Sequence, residues 1–174
     1  MSIDLTLKST AITNRQASPR VINNPGAGAP GVLRVVRGYL ASVTASLSIT
    51  SVIRMVEVPS NCRVHSVVLD SEAQTAGAFS VGVYRTNADG GLVAFTNSDQ
   101  FFTAAVSCAS AVISQQCVLK ATTLNTIAKM DKQLWDAIGM AADPKSMLDI
   151  CLTCTTTAVT TGTGAIGLSV SYTV

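Results

Sequence analysis

Apolar and polar positions alternate most clearly between Ser51 and Asp70, SVIRMVEVPSNCRVHSVVLD. Val52, Arg54, Val56 and Val58 fall on one side of an extended chain, and Ile53, Met55 and Glu57 on the other. Pro59-Ser60-Asn61 interrupts the run, because proline has no ladder donor and asparagine tolerates a left-handed backbone. Beyond it, Val64, Ser66 and Val68 alternate with Arg63, His65, Val67 and Leu69. The pattern predicts two strands joined by a short corner, forming one half-buried antiparallel unit.

Similar runs flank this unit. Leu33 to Leu40 reads as a strand with Gly38 as a bulge, and Val43, Ala45, Leu47 and Ile49 alternate with Thr and Ser. Ser71 to Gly77 is small and polar, hence a loop. Phe79, Val81 and Val83 then alternate with Ser80, Gly82 and Tyr84. The Thr86–Gly91 stretch contains Asp-Gly and Gly-Gly, which supply positive φ for a turn, and Leu92 to Phe95 returns from it. Gln100 to Val106 reads as a strand or an apolar turn around Phe101 and Phe102. Ala111 to Leu119 has no clear period; its β-branched Val112, Ile113 and Val118 favour strand. The last strands are the clearest. Leu148, Ile150, Leu152 and Cys154 share one face, and Ile166, Leu168, Val170, Tyr172 and Val174 share another. A Thr/Gly loop separates them.

One segment has helical spacing. Leu124, Ile127, Leu134, Trp135 and Ile138 line one face of a helix over Thr123–Ile138, capped by Thr123 and closed by Gly139. Residues 1–31 differ from all of this. Ser18-Pro19, Asn24-Pro25 and the Gly26–Gly31 run break any periodicity. About thirty extended residues reach on the order of 100 Å. Two readings stand: a disordered tail, or an arm laid along another subunit. The division is therefore an extended N-terminal arm over 1–31 and a β domain over 32–174. Roughly eight to ten strands at this spacing, with one short helix, predict an all-β, jelly-roll-type antiparallel β-sandwich.

Composition sharpens this picture. Charged residues are only 13% of 174, against about 25% in typical domains, while 48% are apolar. So few charges suit a surface covered by other subunits better than one that must keep a monomer apart. A net charge of +2 gives no strong pull on nucleic acid or membrane. No apolar run is long enough to span a bilayer, and the N-terminus has no signal-type apolar core. The expected setting is a reducing cytoplasm, where the five cysteines stay free.

Candidate chemistry is sparse. General acid–base or nucleophilic catalysis calls for histidine or paired carboxylates, and the one histidine, His65, sits mid-strand. A metal centre would need more such ligands. Cys151 and Cys154 form a lone CxxC on a strand, where residues three apart face opposite sides. No catalytic, metal or cofactor site is expected. The candidate partner-binding residues are Arg15, Arg20, Asn23, Asn24, Arg34 and Arg37. Their arginines are either solvated surface charge or partners for carboxylates on a neighbouring subunit. They are too sparse for a nucleic-acid-binding arm.

The pieces Val56-Glu-Val-Pro59, Arg63-Val-His-Ser66 and Gly77-Ala-Phe-Ser-Val-Gly-Val-Tyr84, followed by the Asn87–Gly91 turn, resemble structural proteins of tailed bacteriophages. The likeness is strongest to head decoration, or cement, proteins. It implies a jelly-roll subunit of the virion, assembled in the host cytoplasm. Such a subunit forms a dimer or trimer and reinforces a shell by binding the major capsid protein. Two rivals remain. One is another virion part: tail, baseplate, spike or a small major capsid protein. The other is a carbohydrate-binding β-sandwich, which would need exposed aromatics, whereas aromatics are 5% of the chain.

Overall fold

The structure is a computed structural model, and it describes residues 32–42, 47, 49–74, 77–85, 100–117, 126–155 and 164–174. Residues 1–31, the Thr86–Phe95 turn and return, Thr123 and most of the Val43–Ile49 run lie outside them.

Eight strands are described: β1 (Arg34–Leu40), β2 (Val52–Pro59), β3 (Arg63–Ser71), β4 (Ala78–Arg85), β5 (Thr103–Ser107), β6 (Val112–Gln116), β7 (Met147–Cys154) and β8 (Ile166–Thr173). They form two four-stranded antiparallel sheets, ordered β1-β8-β3-β6 and β2-β7-β4-β5. β1 pairs with β8, β2 with β7, β3 with β6 and β4 with β5. The pairs β3–β8 and β4–β7 join these into sheets. Apart from β4 and β5, every pair of consecutive strands changes sheet.

This corrects the Ser51–Asp70 expectation. β2 and β3 are both strands, but they belong to opposite sheets. Pro59, Ser60 and Asn61 turn the chain across the sandwich, closed by Cys62 N–H donating to Pro59 O at 3.1 Å. Their apolar residues meet across the core, which buries more apolar surface than lying side by side.

The core holds Val56 and Val58 of β2, Val67 and Leu69 of β3, Phe79, Val81 and Val83 of β4, Leu148, Ile150 and Leu152 of β7, and Ile166, Leu168 and Val170 of β8. The expected inward faces of β4, β7 and β8 are the observed ones. Those of β2 and β3 are not continuous. A register shift between Arg54 and Val56 puts Arg54 outside and Val56 inside, although a regular strand would align them. A second shift, between Val64 and Ser66, separates Val64, packed on the core, from Ser66 and Val68. Each bulge adds one residue and reverses the alternation beyond it. Gly38 is no bulge, since the β1–β8 register runs through it unbroken. It is glycine because a Cβ there would sit 2.2 Å from the Met55 carbonyl oxygen.

The Thr123–Ile138 helix is also corrected. Its described part contains a single 3-10 turn, Ile127–Lys129, and one α-turn, α1 (Leu134–Ala137). Gln133 is extended at ψ 150, so the two do not join. The amides of Leu134 and Trp135 instead donate to Cys62 O and Ser60 O, at 2.7 and 3.1 Å. The β2–β3 corner thus takes the donors that helix continuation would have used. Leu134 and Ala137 are buried there, and Gly139 ends α1 at φ 83 as expected.

Candidate functional site

The two sheets differ on their outer sides. On β4 and β7 the outward Ser80, Tyr84, Asp149, Cys151 and Thr153 are buried as thoroughly as the core. On the β1-β8-β3-β6 sheet the outer side is open. There β1 presents Val35, Arg37 and Tyr39, all exposed, with Tyr39 at 74%.

The floor of this face is low. β8 contributes Gly167, Ser169, Ser171 and Thr173 outward, because its apolar residues all point inward. Gly167 is the register partner of Tyr39 on one side and Asp70 on the other. The result is a trough of about 580 Å³, lined among others by Arg37, Tyr39, Asp70, Glu72, Ile113 and Gly167. Ile113 on β6 is 84% exposed.

Nothing local demands a glycine at 167. A Cβ there would meet its nearest atoms at 3.8 and 4.0 Å, ordinary contact distances. Its absence leaves the trough open.

Charge is divided between the rims. Arg37 stands on the β1 side and makes no ion pair among the described residues. Asp70 and Glu72 stand opposite and are held in place. Asp70 Oδ1 accepts the Ser114 amide at 2.7 Å, and Glu72 Oε2 accepts the Ala165 amide at 2.8 Å. Exposed carboxylates fixed by backbone donors are preorganised acceptors for a cation from outside.

Of the six candidate residues, Arg15, Arg20, Asn23 and Asn24 lie outside the described residues. Arg34 and Arg37 are both exposed on β1, but three residues apart on a strand they project to opposite sides. Only Arg37 lines the trough. Tyr39, Asp70, Glu72, Ile113 and Gly167 were missed by sequence reasoning. A signal existed in β1, RVVRGYL, where Val35 and Tyr39 share a face with Arg37 while Val36 and Leu40 occupy the other. Apolar residues on both sides of this strand put one set against the core and leave the other on the outer surface.

His65 is exposed on β3 and shares a hydrogen bond with Thr173 Oγ1 at 3.0 Å. Among the described residues, no three His, Cys, Asp or Glu side chains converge as metal ligands, and no helix is long and apolar enough to cross a membrane. All five cysteines are buried, and none is in a disulfide. Cys154 is in the core, and Cys151 lies on the outward side of β7, as its strand spacing requires.

No protein-family model matches the sequence, and no curated protein matches it. Solved structures do resemble the fold. One is a chain of the Cyanophage Pam1 capsid asymmetric unit, at TM-score 0.52 and 16% identity, with 91% of this chain and 96% of that one covered. Another is a chain of the capsid of Ralstonia phage GP4, at TM-score 0.54 and 13% identity, with 86% and 88% covered. At these identities the likeness is one of fold.

Proposed function

We propose that this chain is a structural subunit of a phage virion, one that attaches to the outside of a capsid and stabilises it without catalysis. The observation that carries the reading is the open, partly apolar face around the trough, on a fold shared with chains of two phage capsids. The strand order supports a jelly roll: one long hairpin, with β4 and β5 at its tip, rolled into two sheets. In this reading residues 1–31 are a separate arm, and Arg15, Arg20, Asn23 and Asn24 contact neighbouring subunits.

The mechanism is burial of surface between subunits. A standard stable interface buries about 1,600 Å² in total, and weaker contacts repeated around a shell add through multivalency. No reactive group is needed for this.

The test is electron microscopy of the particle that carries the chain, with its copy number measured by quantitative gel. Hundreds of copies on the outer surface of the head, over a distinct shell protein, is the expected result. A shell built from this chain itself would make it the major capsid protein instead. A handful of copies on the tail would overturn the capsid reading.

A further inference from the structure

We infer that the outer face of the β1-β8-β3-β6 sheet is a self-complementary docking surface, and that its occupant is the same face of a second copy of this chain. The inference rests on reading the chain as a subunit of an assembly, and it names the surface through which copies meet.

Three observations carry it. The face exposes large apolar side chains, Val35, Tyr39 and Ile113, around a floor of glycine and serine. It holds both signs of charge on opposite rims, Arg37 on β1 and Asp70 with Glu72 on the other side. Gly167 leaves a notch that local packing would have allowed a side chain to fill.

The charge arrangement selects the occupant. A partner of one sign would satisfy one rim and be repelled by the other. A second copy satisfies both. A two-fold axis parallel to the strands sets β1 of each copy over the β3–β6 side of its mate. Arg37 of one copy then lies over the Val68 row of the other, two residues (~7 Å) along the strand from Asp70, a diagonal step its long side chain spans, twice per pair. Tyr39 crosses to the side that carries Ile113. Like-charge contact in any shifted register would oppose misalignment.

The size of the face sets the strength. Four strands about 4.8 Å apart and seven residues long at ~3.4 Å each cover roughly 450 Å². That is near half the ~800 Å² per partner of a standard interface. Isolated copies therefore pair weakly, and the contact reaches full occupancy where subunits are concentrated on a surface.

The experiment is sedimentation equilibrium of the full chain from about 10 µM to about 1 mM, with thermal melts alongside. Wild type is expected to show a concentration-dependent dimer. Gly167→Leu fills the notch at a position with room for a Cβ. It is expected to weaken pairing at least tenfold while leaving the melting temperature equal or higher. Arg37→Glu is expected to weaken pairing to a similar degree. Adding Asp70→Asn and Glu72→Gln to Arg37→Glu keeps the acceptors for the Ser114 and Ala165 amides but removes the repulsion, so most of the pairing returns.

A wild-type chain that is monomeric throughout overturns the inference. So does a dimer that Gly167→Leu leaves intact, or an Arg37→Glu defect that neutralising Asp70 and Glu72 does not relieve. Capsid attachment fails separately. Purified heads that bind wild type and Gly167→Leu equally, with no dimer in solution, would sink self-pairing and leave attachment standing. A dimer that binds no heads would do the reverse.

Discussion

Arg54 on β2 donates through Nε to Oδ2 of Asp149 on β7 at 2.5 Å, joining residues 95 apart in sequence. The same guanidinium reaches Glu57 Oε1 through Nη2 at 3.1 Å. Glu57 and Asp149 are direct cross-strand partners, so two carboxylates face each other and Arg54 screens one from the other. Asp149 is 1% exposed, and its Oδ1 has no hydrogen-bond partner. Its burial is tolerable only because Arg54 is there. The bulge after Arg54 is what turns that side chain outward, onto the side of the sheet where Asp149 lies.

Arg54→Met keeps an apolar stem and removes the charge. It strands a buried carboxylate beside Glu57. Breaking a fully buried pair costs about 3–5 kcal/mol, but Arg54 is 37% exposed, so the expected loss is about 2–3 kcal/mol in urea unfolding at pH 7. Adding Asp149→Asn to that variant is expected to recover part of the loss. A loss under about 0.5 kcal/mol would show that the pair is a surface contact.

Gly38 and Gly167 make a matched pair on neighbouring strands. Gly38→Ala drives a Cβ against the Met55 backbone, where β1 meets β2 of the opposite sheet, and should cost about 1–3 kcal/mol. Gly167→Ala meets only ordinary contacts and should be neutral or stabilising by up to about 1 kcal/mol. Denaturant midpoints of the two variants check this, and equal losses would contradict it.

Asp143 supplies a pH-dependent contribution. Its Oδ1 accepts the Ser60 hydroxyl at 2.5 Å and the Lys145 amide at 2.9 Å. These bonds, the Ser60 one foremost, hold the carboxyl below its usual range. A depressed folded pKa means the contribution is present above the unfolded value, near 4, and is lost as pH falls through the folded one. Ser60→Ala should therefore melt lower than wild type at pH 7, and the gap should narrow as pH drops below about 4. A gap that stays constant from pH 7 to pH 2.5 would contradict this.

Burial pushes the Cys62 and Cys151 thiols up to about 12. The unfolded thiols ionise near 8.5. Stability tied to their protonated forms is complete below that value and is lost as pH rises toward 12. Melting temperature is expected to be flat from pH 6 to 8 and to fall between pH 9 and 11. At pH 8 in native buffer, Ellman's reagent should leave both thiols unmodified, and guanidinium should release them. Labelling of either in the native chain, mapped by mass spectrometry, would show that the β7 or β2–β3 region opens locally.

How much of this was legible follows from the range over which each signal acts. Period-two alternation is local. It marked β2, β3, β4, β7 and β8 as strands, and it assigned the inward faces of the three strands without bulges on their patterned side. Glycine at 139 marked the end of a helical turn because the left-handed backbone is a property of one residue.

The three-dimensional fold decided what depends on distant partners. Whether Pro59-Ser60-Asn61 closes a hairpin or crosses a sandwich depends on β7 and β8, about 90 residues onward, which neither flanking strand encodes. The bulges at Arg54 and Val64 reverse the alternation, and they are anchored by Asp149 and by the β8 register rather than by any local turn residue. The helix over Thr123–Ile138 yields to the β2–β3 corner because Cys62 and Ser60 carbonyls take the amides of Leu134 and Trp135. The trough is likewise assembled from four strands spread between Arg37 and Ser169. Each strand carries only two or three of its residues, so no contiguous stretch could announce it; only pairing in register brings Tyr39, Gly167 and Asp70 into a single row.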